Sequence, residues 1–210
     1  MNKELLANIN RRHHFDEKEG LEILNLPELN LTPEEEMEIF DFPEEEATSL
    51  FIKYITRIHI GYPWKLCDEA EVKIFDFSPE IVKKIMLRYI DLLPEIRLCP
   101  EAELKILDLP IEIAKEIMFK YFKLHSLRSK AELKIFNLPL ETIQELMIEY
   151  AKKGQIRSLC PKAQIMIFDN PEVGKIIWQY CSEYSRTGFC YEARKKAHML
   201  ELHFWDYTIR

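Results

Sequence analysis

The sequence predicts an all-α fold, an α-solenoid of about five two-helix repeats of 29–35 residues with atypical terminal units. Three observations predict it. The phrase "LCPEAELKILDLP", Leu98 to Pro110, recurs along the chain. The segment after each copy carries one apolar stripe at helical spacing, and prolines punctuate both parts at fixed places.

The copies are "LTPEEEMEIFDFP" from Leu31, "LCDEAEVKIFDFSP" from Leu66, "LRSKAELKIFNLP" from Leu127 and "LCPKAQIMIFDNP" from Leu159. A divergent copy opens at Phe15, and a decayed one, "FCYEARKKAHMLEL", starts at Phe189. Residues 1–14 read as an N-terminal arm, 15–192 as the repeat array, and 193–210 as a capping helix with an aromatic tail bearing Phe204, Trp205 and Tyr207.

Within each copy the first element reads as a short helix. Pro100 suits a first helical position, where a missing N–H is no loss. Glu101 and Glu103 place negative charge at the positive end of the helix dipole, and Thr32 supplies a capping hydroxyl. A strand is the rival reading, because Leu104, Ile106 and Leu109 partly alternate; the Pro-Glu starts and the lack of β-branched runs favour helix. Asp41, Asp76, Asp108, Asn137 and Asp169 precede the next break and suit a turn.

The second element reads as a longer helix. Its stripe is Ala47, Leu50, Phe51, Tyr54, then Val82, Ile85, Met86, Tyr89, then Ala114, Ile117, Met118, Tyr121, then Ile143, Leu146, Met147, Tyr150. Core burial of the tyrosines requires partners for their hydroxyls. Pro43, Ser78–Pro79, Pro110, Pro139 and Pro171 open these helices, and Gly154 and Gly188 fall where a left-handed cap belongs. After Pro171 the register breaks, with Tyr180 two residues early.

On these features the chain resembles the α-solenoid class of HEAT and armadillo arrays over residues 15–192, a likeness of architecture that implies binding along a concave face.

Cys67, Cys99, Cys160 and Cys190 share one position of the repeat, so their recurrence follows from the repeat and not from metal-ligand spacing. Equivalent positions on packed helices lie about 8–10 Å apart, too far for a disulfide. No H-E-x-x-H, phosphate-binding glycine loop or G-x-S-x-G elbow occurs, and His13 with His14 reads as part of a solvated arm. No catalytic residue, metal ligand or cofactor is assigned. Carboxylates at repeat positions read as helix-start and surface groups, and Lys73, Lys105 and Lys134 beside Glu71, Glu103 and Glu132 read as a solubilising ladder.

The net charge of −7 argues against a generic nucleic-acid binder, and no apolar run approaches a membrane span or a signal sequence, which predicts a cytoplasmic protein without a membrane partner. Charge is uneven, with nine acidic residues and no Lys or Arg from Glu28 to Glu46. The outward positions of the longer helices carry Lys53, Lys83, Arg88, Lys115 and Lys120. The sequence thus predicts a non-enzymatic interaction module whose long-helix ridge meets an acidic protein partner. Nucleic-acid binding or modification on a HEAT-like array, through the same ridge, is the alternative.

Overall fold

The computed structural model describes residues 31–58, 65–92, 97–181 and 186–200, and among them regular structure is helical throughout, with no strand. The N-terminal arm, the copy opening at Phe15, His13, His14 and the aromatic tail lie outside the described residues. The short elements are α1 (Pro33–Glu38), α3 (Asp68–Lys73), α5 (Pro100–Ile106), α7 (Ser129–Ile135), α9 (Pro161–Asp169) and α11 (Tyr191–Met199). The longer ones are α2 (Glu44–Ile58), α4 (Pro79–Leu92), α6 (Ile111–Phe122), α8 (Leu140–Lys152) and α10 (Pro171–Tyr180).

The short elements are helices because their apolar contacts repeat every four residues. Ala102 and Ile106 are fully buried together, whereas Leu104, which a strand would place beside Ile106, is only half-buried. Their termini are set locally. At α1, the Thr32 hydroxyl accepts from the Glu35 N–H (3.2 Å) while the Glu35 carboxylate accepts from the Thr32 N–H (2.9 Å), a reciprocal capping box. The first two short helices tighten into 3-10 turns, Ile39–Asp41 and Ile74–Asp76, before the chain extends at Phe42 and Phe77 and enters the longer helix.

Every residue of the four predicted quartets is buried. The chain divides into two compact units, Met1–Lys105 and Ile106–Arg210. In the first, α2 packs on α4 and α1 on α3, with Phe40 stacked on Phe77 of the next copy at 5.4 Å between ring centroids. In the second, α6 packs on α8, α8 on α10, and α9 on α7, α10 and α11. After Pro171 the broken register leaves Tyr180 47% exposed, and a cluster of Phe168, Trp178 and Phe189 fills the interior instead.

The two glycines separate. Gly154 follows α8 with φ 68°, the left-handed conformation predicted for it. Gly188 has no positive φ; it is small because a Cβ there would meet the Arg157 side chain at 2.5 Å. Since nothing lies within 4 Å of a Cβ at Gly154, Gly154→Ala isolates the backbone cost. Urea unfolding should show a loss of about 1–2 kcal/mol, and an unchanged midpoint would contradict the assigned conformation.

Candidate functional site

The carboxylates expected at the surface are the most buried charged groups in the structure. Number each copy from the residue before the short helix, so that Thr32, Cys67, Cys99, Arg128, Cys160 and Cys190 stand at position 0. In the first five of these copies position 4 is Glu36, Glu71, Glu103, Glu132 and Gln164, all buried, and in the sixth it is the exposed Arg194. The solubilising-ladder reading is corrected accordingly for Glu71, Glu103 and Glu132. The dipole argument for Glu103 did not anticipate its burial; at Glu36, Glu71, Glu132 and Gln164 the cause of burial is a backbone N–H of the next copy that requires an acceptor.

The hydrogen bonds form a clasp. Tyr89 Oη donates to Glu71 Oε1 (2.9 Å) and accepts from the Leu66 N–H that begins the same copy (2.9 Å). The other carboxylate oxygen, Glu71 Oε2, accepts from the N–H of Cys99 at position 0 of the next copy (2.5 Å). One copy earlier the same bonds join Tyr54 to Glu36 (2.9 Å), Leu31 N–H to Tyr54 (3.3 Å) and Cys67 N–H to Glu36 (2.7 Å). In the second unit Leu127 N–H donates to Tyr150 Oη (2.6 Å) and Cys160 N–H to Glu132 Oε2 (2.8 Å). Gln164, in the copy whose tyrosine has slipped out of register, still accepts from the Cys190 N–H (2.6 Å) through Oε1. Its Nε2 donates to the Leu159 carbonyl (3.0 Å), so an amide serves where no phenol supplies a proton.

Electrostatics follow from burial. Desolvation raises the Glu36 and Glu71 carboxyls above their ordinary value, and the hydrogen bonds from the next copy and from tyrosine offset this only in part. Burial and the neighbouring Glu71 charge hold the Tyr89 phenol well above its usual range. These groups are fixed as hydrogen-bond partners where one copy meets the next.

Two of the cysteines cap short helices, whereas Cys160 and Cys190 at the same position make no side-chain cap bond. Cys67 and Cys99 Sγ accept from the N–H groups of Ala70 and Ala102, each at 3.4 Å. All five cysteines are unpaired thiols. Burial, with the nearby Glu36 charge, pushes the Cys67 thiol up to about 11, and burial pushes Cys181 to about 12, so neither is a ready nucleophile. Asp68, Glu71 and Cys99 bring three donor atoms within 4.8 Å of one another. The Lys65 ammonium bonds to Asp68 and lies 3.5 Å from Glu71, supplying the positive charge at this cluster. Burial opposes that charge, but the Asp68 hydrogen bond and the two carboxylates together raise the Lys65 pKa.

The short-helix lysines are also inter-copy contacts. Lys105 reaches Asp76 (3.7 Å), Lys134 reaches Asp108 (2.6 Å) and Lys196 reaches Asp169, each aspartate lying one copy earlier. These partly exposed pairs each contribute about 0–1 kcal/mol.

The predicted ridge is only partly present. Lys53 on α2 and Arg88 on α4 are exposed at equivalent turns of packed helices, without an ion pair to either among the described residues. Lys83 is half-buried on α4. In the second unit Lys120 is half-buried, and Lys115 pairs with Glu145 of the next long helix, the bond that raises its pKa. The flanking position of the first copy, Thr48, is buried, its hydroxyl donating to the Glu44 carbonyl (2.6 Å). Comparison of the chain with protein-family models, curated proteins and solved structures finds no significant match.

Two predictions follow from the clasp. Glu71→Ala leaves the Tyr89 hydroxyl and the Cys99 N–H without their acceptor, so urea unfolding should register a loss of about 3 kcal/mol, while Tyr89→Phe should cost about 1–3 kcal/mol. If both variants unfold with the wild-type midpoint, the clasp is not a structural bond. The second concerns pH. The folded Glu71 pKa is raised, so its contribution to stability is fully present below about 4.5 and declines as pH rises through the folded value. The stability of wild type relative to Glu71→Gln should therefore fall as pH rises above about 4.5, and a gap that widened with rising pH would refute the assignment.

Proposed function

We propose that this chain is an α-solenoid of the HEAT and armadillo kind, acting as a non-enzymatic interaction module that binds an acidic protein partner along its longer helices. The observation that carries the reading is the pair of exposed cations at one repeat position, Lys53 on α2 and Arg88 on α4, on helices packed side by side and without an ion pair among the described residues. Cations held on a rigid helical face need no ordering before a carboxylate-rich surface meets them, which favours fast and specific encounter. The half-buried Lys83 extends this face on α4. Lys115 supports the reading less, because Glu145 already neutralises it. The interior supports binding over catalysis in a particular way: the buried carboxylates and phenols that would be the strongest acid–base candidates are committed to joining one copy to the next. No helix among the described residues is long and apolar enough to cross a membrane.

The test is affinity capture from native lysate with wild type and with Lys53→Glu/Arg88→Glu, two surface changes that leave the clasp intact. A protein retained by wild type and reduced at least about tenfold by the variant, in a salt-sensitive manner, supports the reading. Equal recovery by both overturns it. Nucleic acid recovered instead of protein, with a steep salt dependence, would replace it with a nucleic-acid-binding role for the same face.

A further inference from the structure

The outward rows of the longer helices carry charge differently in the two units. Count from the residue that opens each buried stripe, Ala47, Val82, Ala114 and Ile143. Two residues on stand Ser49, Lys84, Glu116 and Glu145, and six residues on stand Lys53, Arg88, Lys120 and Glu149. Both places lie on the side of the helix turned away from the stripe. On α2 and α4 the four residues Ser49, Lys53, Lys84 and Arg88 are all exposed. Lys84 is not among the ridge residues read from the sequence, and it adds a third cation to the pair formed by Lys53 and Arg88.

In the second unit the same rows are balanced. Lys115 of α6 pairs with Glu145 of α8, and Lys152 pairs with Glu149 (2.8 Å). Between α2 and α4 the place of Lys115 is taken by Thr48, whose hydroxyl bonds within its own helix, and the place of Glu145 by Lys84. Lys84 and Arg88 are then like charges one turn apart, about 6 Å between Cβ atoms, an arrangement that weakens a helix. Lys53 lies on the packed neighbour α2, whose axis is about 8–10 Å from that of α4. Glu80 stands one turn before Lys84 and Asp91 one turn after Arg88, yet none of the three cations has an ion pair among the described residues.

Solubility does not call for a cluster of cations on a chain whose net charge is −7. We propose that Lys53, Lys84 and Arg88 form a binding site for a phosphorylated side chain, phosphoserine or phosphothreonine, on a protein partner. This rests on the acidic-partner reading above and names the group that the partner carries. Charge complementarity identifies the occupant. A carboxylate carries one charge on two oxygens, whereas a phosphate monoester carries about −1.5 to −2 at neutral pH and offers three strong acceptors. Arg88 presents a planar fork that holds two of those oxygens, and Lys53 and Lys84 bring two further ammonium groups. Recognition of phosphorylated segments by clustered cations is a general mode of peptide binding.

The test is an NMR titration of the ¹⁵N-labelled full chain with a short peptide of glycine and glutamate bearing one central phosphoserine, and with the same peptide bearing serine. The phosphoserine peptide should bind at least about tenfold tighter, with amide shifts centred on Ser49–Lys53 and Lys84–Arg88. Lys84→Glu installs the residue that α8 carries at this place, so it should keep the wild-type helical circular dichroism and lose at least about tenfold in affinity for the phosphoserine peptide. Arg88→Lys keeps the charge without the fork and should weaken the phosphoserine peptide more than the serine peptide. Lys162→Glu, the same charge change at an exposed position of α9, should leave the affinity unaltered. Equal affinity for the two peptides overturns the proposal and leaves the acidic-partner reading in place, which lysate capture decides by itself. Absence of binding by either peptide, or shifts centred elsewhere, overturns it as well. A single-stranded oligonucleotide or phosphatidylserine vesicles binding more tightly than the phosphoserine peptide through the same residues would replace it with a nucleic-acid or membrane role.

Discussion

Burying a backbone N–H where one copy meets the next is the constraint on which the rest of the structure depends. A helix leaves its first N–H groups without internal acceptors, and an apolar junction offers none. Here the preceding copy provides one, the position 4 carboxylate, whose second oxygen is held by a tyrosine from the longer helix of its own copy. The bond thus couples three elements, and neither copy satisfies it alone. A buried carboxylate is costly unless several donors meet it, which is why Glu71 has the Tyr89 hydroxyl, the Cys99 N–H and Lys65 around it. Specific bonds of this kind fix which surface meets which, where apolar packing alone would tolerate slippage.

Where one member of the clasp changes, another changes with it. Gln164 appears where the tyrosine falls out of register, and the amide donates to a carbonyl in its own copy instead of receiving a phenolic proton. At α1 the Thr32 N–H finds its acceptor in Glu35 of its own copy, which closes a local capping box. The aromatic cluster of Phe168, Trp178 and Phe189, with Arg186 stacked over Trp178, occupies the copy in which the long helix is displaced. Such substitutions keep donors and acceptors matched, and each is a separate local solution to the same junction.

How far the sequence could be read depends on what kind of signal each residue carries. The longer helices were legible because their stripes have the helical period, and the tyrosines were legible as core because they extend those stripes. The position 4 glutamates were misread because charge is a strong prior for exposure and their burial depends on a partner one copy away. A signal did exist: a solvated glutamate has no reason to recur in step with a tyrosine, yet Glu36, Glu71, Glu103 and Glu132 do so in four copies. Gly188 was misplaced for a different reason. A glycine after a helix suggests a left-handed cap, but a close approach by Arg157 demands the same residue and leaves the same trace in sequence. The ridge was legible only as a row of positions, since whether a lysine is free or already paired, as Lys115 is with Glu145, depends on the neighbouring helix.

The division of labour inside the repeat bears on where function resides. Positions that recur in most copies, the clasp carboxylate, the tyrosine and the alanine at position 3, are those the junctions use. A residue demanded by every junction carries little information about a partner. Positions that vary from copy to copy while staying exposed are free of that demand, and they distinguish one part of the surface from another. Lys53 and Arg88 share one such position, whose later occupants are Lys120 and Glu149, so the charge of this row changes along the chain while the core beneath it does not. Arg194 differs in kind, because it stands at a junction position and abandons its acceptor chemistry in favour of the opposite charge.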